Sequence, residues 1–197
     1  IGKQSKILNK TQIQMIRTFL RNQRNGLRDE TIFLLSIKSG LRSKEISLLG
    51  WKMVSKSDGT IDDYINLPNS SSKGNGGRII PLHKDIKENL KLMLEEHRGL
   101  YGFDQNKSFI VRTERSPFTT SQIIVNMFQK WYGKLGLLGC SSHSGRRTFI
   151  TETSKKISLV GGSLRDIQMM VGHQSLQTTQ RYIEGDSESQ KKVVDLI

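Results

Sequence analysis

Apolar residues recur at helical spacing along most of the chain, and the pattern shortens to strand-like runs in one central stretch. Ile13, Ile16, Phe19 and Leu20 form a stripe that predicts a helix over residues 11–24, with Thr11 as its cap. Residues 28–38 read as a second, more buried helix that stops near Gly40. Ser43 is placed to cap a short third helix through Leu49. Residues 61–67 (I-D-D-Y-I-N-L) and 78–82 (R-I-I-P-L) are short β-rich runs on either side of the polar, glycine-rich stretch P-N-S-S-S-K-G-N-G-G. They predict two or three antiparallel strands, a turn near Gly74 to Gly77, and a strand end or sheet edge at Pro81.

Helical spacing then returns. Ile86, Leu90, Leu92, Met93 and Leu94 mark a broad apolar face over residues 84–97. Residues 120–135, with Phe128 and Trp131, predict another helix. Three shorter helices are expected over 145–157, 163–171 and 177–184, and a last one over 186–197. No internal repeat or long low-complexity linker interrupts the series. The expected fold is α+β: one mainly helical domain with a small antiparallel sheet.

Composition narrows the class. The chain has 197 residues, 35% of them hydrophobic, which suits a folded domain with a core. No apolar run approaches the roughly 20 residues of a membrane helix, and no secretory signal opens the chain. The first residue is Ile rather than Met, so a piece of a longer chain is expected. The lone Cys140 excludes an internal disulfide framework and any cysteine-pair zinc site, which fits a reducing compartment. Lys and Arg total 31 against 18 Asp and Glu, a net charge of +13. That excess points to an anionic partner: DNA, RNA or an acidic membrane surface.

The candidate chemistry separates these partners. Arg42, His143, Arg146 and His173 form an ordered basic set that closes on Tyr182. Arginines and histidines are the groups needed to hold a phosphate diester and neutralise charge developing on it, and a tyrosine offers an oxygen to attack it. Arg42 lies between a helix stop and a helix start, where its guanidinium can aim two donors at one phosphate. The spacing of His143 and Arg146 puts both on one helix face if the helix has begun by Ser144. Other candidates are weaker. Cys140 reads as a small buried thiol. His83 and His97 lack partners at ligand spacing, so no metal site is expected. Gly74 to Gly77 lacks the ending and following helix of a nucleotide-binding loop. The six methionines read as core filler.

Four strings occur in order: S-G-L-R-S-K-E-I-S-L-L (39–49), S-S-S-K-G-N-G-G-R-I-I-P-L (70–82), H-S-G-R-R-T-F (143–149) and V-G-H-Q-S-L-Q-T-T-Q-R-Y-I (171–183). Together they resemble the catalytic domain of the tyrosine recombinases, the phage-type integrases and Xer-like enzymes, from about residue 10 to 190. The resemblance implies that Arg42 and Arg146 clamp the phosphate and that His173 donates a hydrogen bond to it. His143 would transfer a proton, Lys73 would act as general acid from a hairpin turn, and Tyr182 would be the nucleophile. Glu45 would hold Arg42 or a neighbouring histidine. Arg78, Arg147 and Lys44 would contact DNA, and Phe149 would enter the core. One departure is Gly145, where many relatives carry leucine; a glycine there is expected to loosen the helix start by up to about 1 kcal/mol relative to alanine. The 27 residues from Arg146 to His173 slightly exceed the spacing of compact relatives, and K-I-S-L-V-G-G (156–162) is where the extra length is expected.

The function implied is site-specific DNA recombination through a 3′-phosphotyrosyl intermediate, independent of metal, ATP or other cofactor. The expected partners are double-stranded DNA and three further copies in a homotetramer, with no membrane. Residues 10–185 would form the core and 186–197 a segment exchanged between protomers. The family's N-terminal core-binding domain is absent from this stretch of sequence. Localisation would be cytoplasmic, on the nucleoid. A type IB topoisomerase and a catalytically silent DNA-binding module of the same fold stay open. A basic RNA-binding domain is disfavoured, because no aromatic stacking platform is evident.

Overall fold

The computed structural model describes residues 4–69 and 77–182. Lys73, most of the expected turn at Gly74 to Gly77, and the 186–197 segment lie outside the described residues. Helix α1 spans Lys10–Arg21, and its cap is Asn9 rather than Thr11. The Asn9 side chain accepts from Gln12 N at 2.8 Å while Gln12 Oε1 accepts from Asn9 N at 3.0 Å, so a reciprocal box starts the helix earlier than the stripe suggests. Helix α2, Gly26–Ser39, is buried over nearly its whole surface and ends at left-handed Gly40. Helix α3, Ser43–Ser47, is capped by Arg42 rather than Ser43, because Glu45 reaches back to the Arg42 N–H at 2.8 Å.

Strands β1 (Tyr64–Leu67) and β2 (Arg78–Pro81) pair antiparallel, with Ile65 opposite Ile80 and Leu67 opposite Arg78. Ile65, Leu67 and Ile80 face the core, and Tyr64 and Ile79 face outward, as a two-residue period requires. Isolated bridges pair Ser55 with Ile61 and Gly50 with Phe109 outside this sheet. Helix α4, Lys84–Arg98, buries Ile86, Leu90, Met93, Leu94 and His97. Leu92, expected on that face, is instead 59% exposed: it falls outside the i, i+4, i+7, i+8 row. His97 is accommodated because its Nδ1 accepts from Trp51 Nε1 at 3.1 Å.

Helix α5, Ser121–Lys134, is capped by Thr120 and buries Phe128, Trp131 and Tyr132. Helices α6 (Ser144–Lys156), α7 (Leu164–Val171) and α8 (Leu176–Gln180) follow. Among the described residues no helix is long and apolar enough to cross a membrane. The 156–162 stretch forms a one-turn 3-10 helix, Ile157–Val160, that leaves Leu159 and Val160 exposed. A large apolar core joins α1–α5 and the sheet, and a smaller cluster of Ile150, Ile167 and Val171 lies between α6 and α7 with Phe149 and Tyr182 packed on it.

Helix α6 lies directly against α2, and Gly145 faces Ser36 of that helix at close range. A Cβ at Gly145 would collide with Ser36 Oγ and lie 2.9 Å from Ser36 Cβ. The glycine leaves the room that this contact needs, which helix propensity alone does not register. Gly145→Ala should destabilise the fold by about 1–3 kcal/mol through overpacking, against the small gain propensity alone predicts. Urea denaturation of the variant checks this; unchanged or higher stability would mean that α6 can lift off α2 without loss.

Candidate active site

The first element of the site is the α2–α3 corner. Arg42 leaves the end of α2 in extended conformation, and its Nη1 donates to Glu45 Oε1 at 3.0 Å. Glu45 is 1% exposed, and its other oxygen lies 2.9 Å from Arg78 Nη2. Arg78, expected to contact DNA at the surface, is buried instead, and its Nε donates to the Met170 carbonyl at 2.8 Å. One buried carboxylate thus sits between two guanidiniums, an arrangement that meets its desolvation with charge and hydrogen bonds.

Arg146 projects from the first turn of α6 and is 4% exposed. Its Nη1 donates to the Gly40 carbonyl at 2.5 Å and its Nη2 to the Val171 carbonyl at 2.7 Å. Those carbonyls belong to the C-terminal ends of α2 and α7, where cations are favoured. The contacts fix the plane of the guanidinium and leave its remaining N–H groups for a ligand. Burial, and secondarily the nearby Arg42, lower its pKa to about 9, so it stays charged at neutral pH.

His173 follows Gly172, the left-handed cap of α7. Its Nδ1 lies 2.9 Å from Thr179 Oγ1, and Gln168 Nε2 donates to its carbonyl at 3.0 Å. Its ring stacks on Tyr182, with centroids 5.8 Å apart and planes 20° from parallel. Burial, and then Arg146, Arg42 and Arg78, push the His173 pKa down to about 4, so the ring is neutral at neutral pH. Tyr182 does not lie on a helix as expected. Helix α8 is capped by Ser175 and ends at Gln180, with Thr178 and Thr179 inside it, and Tyr182 sits in the turn beyond.

A cavity of about 400 Å³ joins these parts. Arg42, His143, Arg146, His173 and Tyr182 line it, together with Arg147. His143 caps α6 and is exposed, and the helix does begin at Ser144. Arg147 Nη1 donates to the Ser5 carbonyl at 2.8 Å. Lys44 is exposed and does not line the cavity. Gln4, Ser5, Thr178 and Arg181 complete the lining and were not anticipated. Arg181 carried a usable signal, a cation next to the tyrosine, whereas Gln4 and Ser5 arrive from the far end of the chain. Among the described residues no group of His, Cys, Asp and Glu could hold a metal ion.

The chain matches the model of the phage integrase family over residues 6–189. It is similar to the tyrosine recombinase XerC of Chlamydia muridarum, 32% identical over 172 residues that cover 86% of this chain and 50% of that protein. The chain therefore spans about half the length of the curated relatives it matches. The fold is similar to the Tn1549 transposon integrase in complex with a circular intermediate DNA, with a TM-score of 0.78 and 17% identity over 100% of this chain and 67% of that one. It is also similar to XerA recombinase, with a TM-score of 0.75 and 20% identity over 100% of this chain and 66% of that one.

His173 and His97 are both held neutral, His97 at about 4 by burial and by Arg112. Each depressed pKa means that the unfolded chain takes up a proton before the folded one does. Their contribution to stability is complete above the ordinary histidine pKa of about 6.5 and is lost as pH falls toward 4. Denaturation midpoints measured from pH 7 to 4 should fall across this window, with a shallower fall in His97→Gln and His173→Gln. Identical slopes in wild type and both variants would refute the assignment.

Proposed function

The chain belongs to the phage integrase family, and on that premise we propose that it is the catalytic part of a site-specific DNA recombinase that cleaves and rejoins strands through Tyr182. The observation that carries this reading is the convergence of Arg42, His143, Arg146, His173 and Tyr182 on one cavity. Tyrosine recombinase relatives, and a similar fold solved with DNA, support it. The chain's net charge of +13 suits a polyphosphate partner.

In the proposed reaction the Tyr182 Oη attacks the scissile phosphorus and the bond to the 5′-oxygen breaks. The products are a 3′-phosphotyrosyl bond and a 5′-hydroxyl. The phenol proton passes to His143. Lys73, outside the described residues, supplies the proton to the departing 5′-oxygen. Arg42 and Arg146 face the non-bridging oxygens, and neutral His173 adds a hydrogen bond through Nε2–H when the Thr179 hydroxyl gives its hydrogen to Nδ1. Attack by another strand's 5′-hydroxyl on the phosphotyrosine reverses the chemistry. The phosphodiester energy stays in the covalent bond and the cations are side chains, so the scheme calls for neither ATP nor a metal ion. The whole protein would act as a homotetramer on two duplexes in the cytoplasm, at the nucleoid, in service of a mobile element or chromosome. Residues 10–185 would be the core, 186–197 the exchanged segment, and Glu45 a support for Arg42. Arg147 and Lys44 would contact DNA.

A nicked suicide substrate tests the reading, with a cognate site or a pooled random library and the full-length parent protein. Wild type should give a DNA-shifted band on a denaturing gel, and Tyr182→Phe should give none. Arg42→Gln should slow band formation by about 10²–10³-fold. Binding without any covalent band in wild type would leave a silent DNA-binding module as the better reading.

A further inference from the structure

Arg78 is the first residue of β2 and is 9% exposed. Its guanidinium joins three parts of the molecule. On one side it pairs with Glu45, the carboxylate that also accepts from the Arg42 backbone and side chain. On the other it donates to the Met170 carbonyl in the last turn of α7, three residues before His173. Gly172 leaves room for it: a Cβ there would lie 2.9 Å from Arg78 Nη1, and the residue's φ of +64° also disfavours a side chain.

We infer that Arg78 is a positioning residue for the proposed strand cleavage, locking the Arg42–Glu45 pair and the His173 turn to one strand so that both present to the cavity in fixed register. The inference rests on the recombinase reading for its chemistry and on these contacts for its geometry. The physical case has two parts. Without Arg78, Glu45 would be a buried carboxylate neutralised by Arg42 alone, and Arg42 would be drawn away from the cavity toward it. By sharing the Glu45 charge, Arg78 leaves Arg42, whose side chain is 26% exposed, free to meet a phosphate. Without Arg78, the Met170 carbonyl would also lose its donor, and the α7 end that sets His173 would loosen.

Two variants of the full-length protein test this. Arg78→Met removes the guanidinium and keeps the stem; Arg78→Lys keeps the charge but cannot reach Glu45 and Met170 together. At saturating DNA, single-turnover cleavage of the suicide substrate should fall roughly 10- to 100-fold in both variants, with DNA affinity changed by less than about threefold. In histidine-labelled protein without DNA, the His173 NMR signal should move and its titration midpoint rise in Arg78→Met, while His97 stays in place. An unmoved His173 signal, or a cleavage defect carried wholly by weaker DNA binding, would overturn the inference. Should wild type itself form no covalent product, the recombinase reading falls, and the His173 signal alone then decides the positioning role.

Discussion

The buried guanidinium of Arg146 is the interaction on which the site depends. It leaves α6 and closes on the carbonyl ends of two other helices, α2 at Gly40 and α7 at Val171. Helix ends buried without donors are costly, so each carbonyl needs Arg146 as much as Arg146 needs the carbonyls. The outcome is a fixed triangle: Gly40 leads into Arg42, Val171 leads into His173, and Arg146 stands between them. Gly145, next to Arg146, is what lets α6 approach α2 closely enough for that reach. A packing contact with no chemistry of its own thereby sets the separation of the groups that have chemistry.

The electrostatics follow from the same convergence. Arg42 and Arg78 flank Glu45, Arg146 lies near enough to feel its charge, and among the described residues the cavity lining carries four arginines and two histidines but no carboxylate. Burial first, and then repulsion by this cluster, hold the His173 pKa down to about 4. Positive charge left partly unneutralised in a partly buried site is suited to an anion that brings two non-bridging oxygens. His173, neutral and stacked on Tyr182, adds polarity at the tyrosine without adding charge.

Much of this was legible along the chain because it depends on local rules. The helix stop at Gly40, the strand end at Pro81 and the buried faces of α2 and α4 follow from periodicity and backbone preference. The misread details share a different cause. Asn9 and Arg42 became caps because Gln12 and Glu45 reach back to them, and side-chain reach is invisible to a cap rule based on residue type. Hydropathy alone puts Leu92 on the apolar face, and the helical row leaves it outside. Arg78 looked like a surface cation because its partners, Glu45 and Met170, lie 33 and 92 residues away in sequence.

The sequence by itself determined the mainly helical character, the small antiparallel pair and the residue types of the site, since each is written in local spacing and in four short strings. The tertiary structure decided how those residues stand to one another. It turned Glu45 and Arg78 inward, set Thr179 against His173, ended α8 before Tyr182, and brought Ser5 to Arg147 from the other end of the chain. Those relations require segments distant in sequence to pack against each other, and such packing is settled by shape and burial across the whole fold rather than by any window of residues.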